Sequence, residues 1–255
     1  FQASAVSYLY YADRIYQINL ALAGIAISVV ILPQLSKHIQ SKKKNKILLI
    51  QNKALELSLF LSIPASIALV VGSEYITSAL FGYGSFNEVA VQNSAKALYF
   101  FALGLPAFSL IKIFSSFFFA NHNTKTPFHI SLLSVALNII ISLYYFKEIG
   151  FIIIPIATSV SSWINGMLLF ILLKKDNLFN FNKEFVLRFI KIIFASVFMG
   201  VLFNFLLIYF KDQLAFEQNM KSFYLILSVM MSLLFYLFFS YMIKAFKIND
   251  FKLNY

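Results

Sequence analysis

Tyr10-Tyr11-Ala12-Asp13-Arg14-Ile15-Tyr16-Gln17 sets an adjacent acid and base at the head of an apolar run that continues to Leu35. Ionisable residues inside a bilayer are expensive, about 2.5–3.5 kcal/mol each at the bilayer centre on insertion scales. On one α-helix, neighbours i and i+1 point about 100° apart and do not face each other. Asp13 and Arg14 therefore cannot neutralise one another along the helix, and each needs water, an outside partner or a polar ligand. The run that follows makes this a membrane helix, and the pair suggests a task for it.

The rest of the chain has the same character. Of its 255 residues 60% are hydrophobic and only 12% charged, whereas soluble domains carry about 25% charged residues. Seven apolar segments are marked out, at Ser4–Leu35, Leu48–Val71, Ala95–Ala120, Phe128–Phe146, Phe151–Leu173, Phe189–Phe210 and Phe223–Ile243. A helix of about 20 residues crosses the hydrocarbon core, so each is long enough or nearly so. The first is longer and is expected to overhang the bilayer or tilt. The runs are continuous rather than alternating, which argues against strands. The expected fold is all-α, a polytopic membrane protein of about seven transmembrane helices. No isolated signal-peptide pattern opens the chain. Residue 1 is Phe and the start is abrupt, so the sequence reads as a fragment of a longer protein. The absence of cysteine excludes disulfides and Cys-ligated metal.

A net charge of +11 raises nucleic acid as a partner, but its distribution argues for a membrane instead. Lys37, Lys42, Lys43, Lys44 and Lys46 fall in one loop; Lys174, Lys175, Lys183, Arg188 and Lys191 in another; Lys244, Lys247 and Lys252 in the tail. With Lys53 and Lys125 they put 15 basic residues on one side. The other side has Lys96, Lys147, Lys211 and Lys221, interspersed with Glu74, Glu88, Glu148, Asp212 and Glu217. The positive-inside rule then sets the start of the chain outside and the C-terminus in the cytoplasm.

Small residues at four-residue spacing, Gly24 with Ser28 and Thr158 with Ser162 and Gly166, suit close helix packing. Pro33, Pro64, Pro106 and Pro155 lie in or at the ends of spans, as fixed bends or as hinges.

Catalytic chemistry is not evident. No Walker A loop, zinc spacing or nucleophile elbow occurs, and the acids are too scattered for a catalytic pair. Gly82-Tyr83-Gly84 reads as a turn, and His38, His122 and His129 as solvated or interfacial residues. Four polar features within or beside spans remain. Asp13 and Arg14, with Gln17 one turn on, either face a wet cavity or sit at the interface among the belt of Tyr8, Tyr10, Tyr11 and Tyr16. In the interfacial case Arg14 snorkels to the headgroups. Lys112 lies about midway along the third span, a poor place from which to snorkel, which favours a cavity. Asn138 and Thr158 suit either a cation or an interhelical hydrogen bond. Glu56, one turn inside the second span, is most simply interfacial.

At these residues the sequence resembles the MviN/MurJ-type lipid II flippases of bacterial peptidoglycan synthesis. The segment Tyr10 to Gln17, then Gly24-Ile25-Ala26-Ile27 and Leu32-Pro33-Gln34-Leu35-Ser36, is similar to the family's most recognisable stretch. A second likeness runs from Gly104-Leu105-Pro106-Ala107-Phe108 through Lys112 to Asn123-Thr124-Lys125-Thr126-Pro127. The resemblance covers essentially the whole chain. It implies helices eight to fourteen of a fourteen-helix carrier: residues 1–175 as a second transport lobe lacking its first helix, and 176–255 as two additional C-terminal helices. It further implies alternating-access transport of a lipid-linked disaccharide-peptide, lipid II, from the inner to the outer leaflet of the cytoplasmic membrane. The partners implied are lipid II, membrane lipids and the missing N-terminal lobe, with no nucleic acid.

On this resemblance Arg14 receives the pyrophosphate, for which a guanidinium is suited. Asp13 orients or balances that charge, and Gln17 and Lys112 complete the substrate-binding set. Gln17 stands where the family often has an acid. No cofactor is implied beyond a coupling monovalent cation such as sodium, for which Asn138 and Thr158 are the candidate ligands; Ser142 stands where a carboxylate would help. The last two spans are implied to form a groove for the lipid tail. With no nucleotide motif, the drive falls to an ion gradient, the membrane potential or coupled metabolism. Rival readings are an exporter of another polysaccharide-lipid or of drugs in the same superfamily, a non-transporting membrane scaffold, and a polytopic glycosyltransferase.

Overall fold

The computed structural model describes residues 4–246, and these are helical apart from short turns. Helix α1 (Ala5–Leu20) passes through a π-helical turn (Ala21–Ile25) into α2 (Ala26–Gln40) without a break. The resulting rod has 36 residues, about 54 Å at 1.5 Å per residue, and overhangs a hydrocarbon core of about 30 Å. Then come α3 (Lys44–Phe81), α4 (Glu88–Ala120), α5 (Lys125–Ile149), a 3-10 turn (Gly150–Ile152), α6 (Ile153–Lys175), α7 (Lys183–Tyr209) and α8 (Lys221–Met242).

Six segments among the described residues are long and apolar enough to cross a membrane, with Lys125–Lys175 taken as one stretch of 51 residues. That stretch is a hairpin. It turns at Gly150, whose φ of 73° suits a residue without a Cβ. Ser134 donates to the Ser161 carbonyl and Asn138 to Thr158, so the later residue on α5 meets the earlier one on α6, as antiparallel helices require. Counted as two crossings, it gives the expected seven rods.

Two boundaries differ most from expectation. The second span does not stop at Val71 but continues to Phe81, and the third begins at Glu88 rather than Ala95. Packing carries both helices past their most apolar stretches: Ile76 and Ala79 of α3 share a buried cluster with Ala97 and Leu98 of α4 and Leu225 of α8. The connection is only residues 82–87, closed by the Asn87 side chain, which accepts from the Ala90 N–H at 3.0 Å. Several basic residues assigned to loops likewise lie on helices: Lys44 and Lys46 on α3, and Lys183, Arg188 and Lys191 on α7. Lys247 and Lys252 lie outside the described residues.

The bundle has two distinct ends. At one, Leu35, Ile50, Phe117, Leu173 and Phe185 form a core beneath the α2–α3, α4–α5 and α6–α7 turns. At the other, Ala12, Leu98, Leu207 and Leu214 pack near the α3–α4 and α7–α8 turns.

Prolines interrupt hydrogen bonding without interrupting the helices. Pro64 has no N–H for the carbonyl of Phe60, and Tyr236 of α8 supplies its hydroxyl instead at 2.8 Å. Pro106 likewise frees the carbonyl of Ala102, which accepts from Ser66 of α3 at 2.6 Å. In lipid a freed carbonyl has no water to turn to, so these hydroxyls tie neighbouring helices together at the weak points.

Candidate functional site

On α1 the buried stripe is Ala5, Ala12, Ile15 and Tyr16. Tyr16 stacks on Phe101 with ring centroids 5.7 Å apart and meets Phe108 edge-on, so it is a packing residue rather than part of an interfacial belt. Burying this stripe turns Arg14 and Gln17 to the open side of the rod, with Asp13 half-buried at the margin. Gln17 donates its amide N–H to Asp13 one turn back. The Arg14 guanidinium lies 4.6 Å from the centroid of the Tyr10 ring. Asp13 is thus held by Gln17, and Arg14, resting on an aromatic face, presents its charge outward. Arg14 is one turn inward from Tyr11, which touches Phe81 and Phe86 beside the α3–α4 turn. The cluster therefore lies towards that end of the bundle.

Ile15 and Asn19, beside Arg14 and one turn beyond it, line an apolar groove of about 360 Å³. Its opposite wall comes from α7 and α8, including Phe203, Leu225 and Val229. A cation and an apolar channel thus occupy adjoining faces of one helix.

The π-turn follows at once. An added Cβ on Gly24 would stand 3.2 Å from the Ser109 Cα, so the absence of a side chain lets the rod touch the α4 backbone. Ser28 then bonds the Lys112 carbonyl at 3.2 Å and the Ser116 hydroxyl. The small-residue pair singled out in the sequence is a packing device. π-turns often mark functional segments, and no residue pattern announced this one.

Lys112 is exposed in a cavity of about 650 Å³ together with Ser28, Ser115, Lys125 and Ser131. Its level on the rod is that of Ser28, fourteen residues beyond Arg14, or about 20 Å. The structure therefore brings together Asp13, Arg14 and Gln17, while Lys112 stands apart on α4, level with Ser28 further along the rod.

Asn138 and Thr158 do meet. The Asn138 amide donates to the Thr158 hydroxyl at 3.0 Å, and Thr158 passes its own proton to the Ile154 carbonyl at 2.7 Å. The pair links α5 to α6, and no carboxylate takes part in the contact. The buried hydroxyl of Ser142 stands one turn further along α5.

Other polar residues are placed differently from their sequence reading. Glu56 is not interfacial but buried, paired with Arg188 of α7 at 2.9 Å and with Lys53 at 3.8 Å. Arg188 is brought there by the α6–α7 turn, which α3 clamps: Gln51 donates to the Leu178 carbonyl at 2.9 Å and Asn52 to that of Asn180 at 3.0 Å. Lys221 is not a loop residue but the buried first residue of α8, donating to the carbonyls of Gly82 at 2.6 Å and Phe216 at 2.7 Å. His38 is buried too, because it continues the inward stripe of Ile31 and Leu35 and the chain folds back so that Lys43 N–H reaches its carbonyl. His122 and His129 are exposed, as expected. The distant partners, Arg188 for Glu56 and Gly82 for Lys221, are more than 100 residues away and were not visible in the sequence.

The family described as lipid II flippase MurJ matches residues 1–255. A probable lipid II flippase MurJ of Rhizobium meliloti (strain 1021) is 42% identical over 166 residues, 65% of this chain and 31% of that protein. One of Rickettsia prowazekii (strain Madrid E) is 35% identical over 214 residues, 84% of this chain and 42% of the other. A solved lipid II flippase MurJ in an inward closed conformation aligns over 95% of this chain and 48% of its own, at 28% identity and a TM-score of 0.77. The chain spans less than half the length of these relatives.

Proposed function

Because the chain belongs to the lipid II flippase MurJ family, we propose that it forms the C-terminal part of a carrier that moves lipid II across the bacterial cytoplasmic membrane. The reading rests on one observation above the others: Arg14 faces outward on α1 while Ile15 and Asn19 open an apolar groove walled by α7 and α8. A substrate with a pyrophosphate head and a long polyprenyl tail needs both, a cation for the head and a channel for the tail. A guanidinium offers bidentate donors to phosphate oxygens. Asp13, held by Gln17, limits the attraction so that the head can leave again. Lys112 provides a second positive group about 20 Å along the rod, on the path that a head crossing the bilayer would follow. Residues 1–175 then act as a transport lobe completed by preceding helices, and 176–255 as the tail-binding pair. The basic end of the bundle faces the cytoplasm. Asn138 and Thr158 enter no step of this mechanism.

The test uses the full-length protein as the only copy in the cell. Arg14→Ala is expected to abolish arrival of lipid II at the outer leaflet, measured by its accessibility to an external lipid II-cleaving toxin, with membrane abundance unchanged. Normal flipping and growth with that variant would overturn the assignment.

A further inference from the structure

A second apolar groove, of about 500 Å³, lies between α3, α4, α6 and α7, away from Arg14. Its floor is Leu55, Pro106, Ala107 and Gly166. Its wall is a file of rings, Phe170 against Phe181 at 5.2 Å, Phe181 against Phe185 at 4.8 Å, and Phe185 against Phe189 at 6.1 Å. Two features shape it. Gly166 removes a side chain from the floor, where an added Cβ would find its nearest neighbours at 3.8 Å. Trp163 is pinned along the rim by its N–H on the Leu103 carbonyl at 3.0 Å.

The file of rings ends at the α6–α7 turn, and there the charge changes. Lys174 follows Phe170 by four residues and Met167 by seven, so it continues the face of α6 that lines the groove. Lys183 precedes Val186 by three residues and so stands at the Val186 edge of the α7 lining, at the mouth of the groove. Both are exposed. Asp176 lies past the last residue of α6, and Glu184, two residues before Val186, falls on the opposite side of α7 from it. Arg188 is engaged with Glu56.

We propose that this groove binds an anionic glycerophospholipid of the surrounding bilayer, with one acyl chain along the rings and the phosphate between Lys174 and Lys183. The charge at the mouth selects the headgroup. The groove alone would accept any chain.

Trp163 is the chain's one tryptophan, and it lines the groove, so it serves as the probe. The full-length protein is reconstituted into vesicles of phosphatidylcholine containing dibrominated phosphatidylglycerol or dibrominated phosphatidylcholine at equal mole fraction. The Trp163 signal is taken as the difference from the Trp163→Phe protein. Brominated phosphatidylglycerol should quench it with an effective affinity about fivefold higher or more. Lys174→Gln with Lys183→Gln should bring the two lipids level while leaving quenching in place. Gly166→Leu, which fills the groove, should weaken quenching by both. Equal quenching by the two lipids in the unmodified protein overturns the proposal, since the site then does not select charge. Absent quenching overturns it as well, because protein then covers the groove. Undiminished quenching in Gly166→Leu overturns the placement of the chain.

Discussion

Glu56 and Arg188 show what a single buried charge demands. Their side chains are 11% and 17% exposed and their atoms 2.9 Å apart, so neither ion is solvated without the other. Removing one partner of a buried pair strands a charge, whereas replacing both by apolar groups is often neutral. Arg188→Met should therefore destabilise the full-length protein by about 3 kcal/mol, the lower end of the range for a broken buried pair, because Lys53 remains 3.8 Å from Glu56. Glu56→Gln combined with Arg188→Met should recover part of that loss, since Lys53 then loses its carboxylate. Thermal unfolding in detergent checks both, and a double variant no better than Arg188→Met would mean that the pair itself is not the source of stability. The sequence announced the charges but not their partner. Glu56 looked interfacial because it stands near the basic turn residues; it is buried because α7 docks across it. Arg14 is the opposite case: its surroundings come from its own helix, through Tyr10 and Gln17, and so could be read locally.

At the scale of helices, two prolines show how the bundle absorbs a defect. The carbonyl of Phe60 has lost its helical donor to Pro64 and is served by Tyr236, itself only 2% exposed. Tyr236→Phe keeps the ring and its packing on Phe60, with centroids 5.0 Å apart, and removes the hydroxyl. Leaving a buried carbonyl unpaired costs about 1–3 kcal/mol, so that much loss of stability is expected. Pro64→Ala would restore an N–H for the same carbonyl, so the Tyr236→Phe/Pro64→Ala protein should be more stable than Tyr236→Phe alone. Unfolding midpoints of the four proteins in one detergent test this, and an additive outcome would show that the hydroxyl does not substitute for the missing N–H. Helix existence was legible from apolar runs alone, because hydrophobic length is what membrane insertion reads. The extension of α3 to Phe81 was not, since Ile76 and Ala79 are stabilised by α4 and α8 rather than by lipid. The π-turn at Ala21–Ile25 was not legible either, because it answers to the close approach of Gly24 and Ser109 across two helices.

At the scale of the molecule, the two ends differ in charge and in construction. The end carrying Lys37 to Lys46, Lys125, Lys174 and Lys175 is also where α3 clamps the α6–α7 turn through Gln51 and Asn52. The other end is closed by Lys221, whose ammonium caps carbonyls of the α3–α4 and α7–α8 turns and lies 4.4 Å from the Tyr83 ring. Charge sorting in the sequence therefore foreshadowed a real division of the fold, because successive crossings must alternate ends and each turn keeps its charges on its own side. The proposed orientation rests on the excess of lysine at one end, since positively charged turns are retained on the cytoplasmic side during insertion. Single cysteines in a cysteine-free background of the full-length protein make the orientation measurable, and exposed turn positions are available at both ends. Ser85→Cys and Gln218→Cys should react with a membrane-impermeant maleimide in intact cells, whereas Ser41→Cys and Asn180→Cys should react only after the membrane is opened. Reversal of the whole pattern would invert the proposed orientation. A split within one end, with Ser85→Cys and Gln218→Cys on opposite sides, would contradict the fold itself, because the hydrogen bonds from Lys221 to Gly82 and Phe216 hold those two turns against each other.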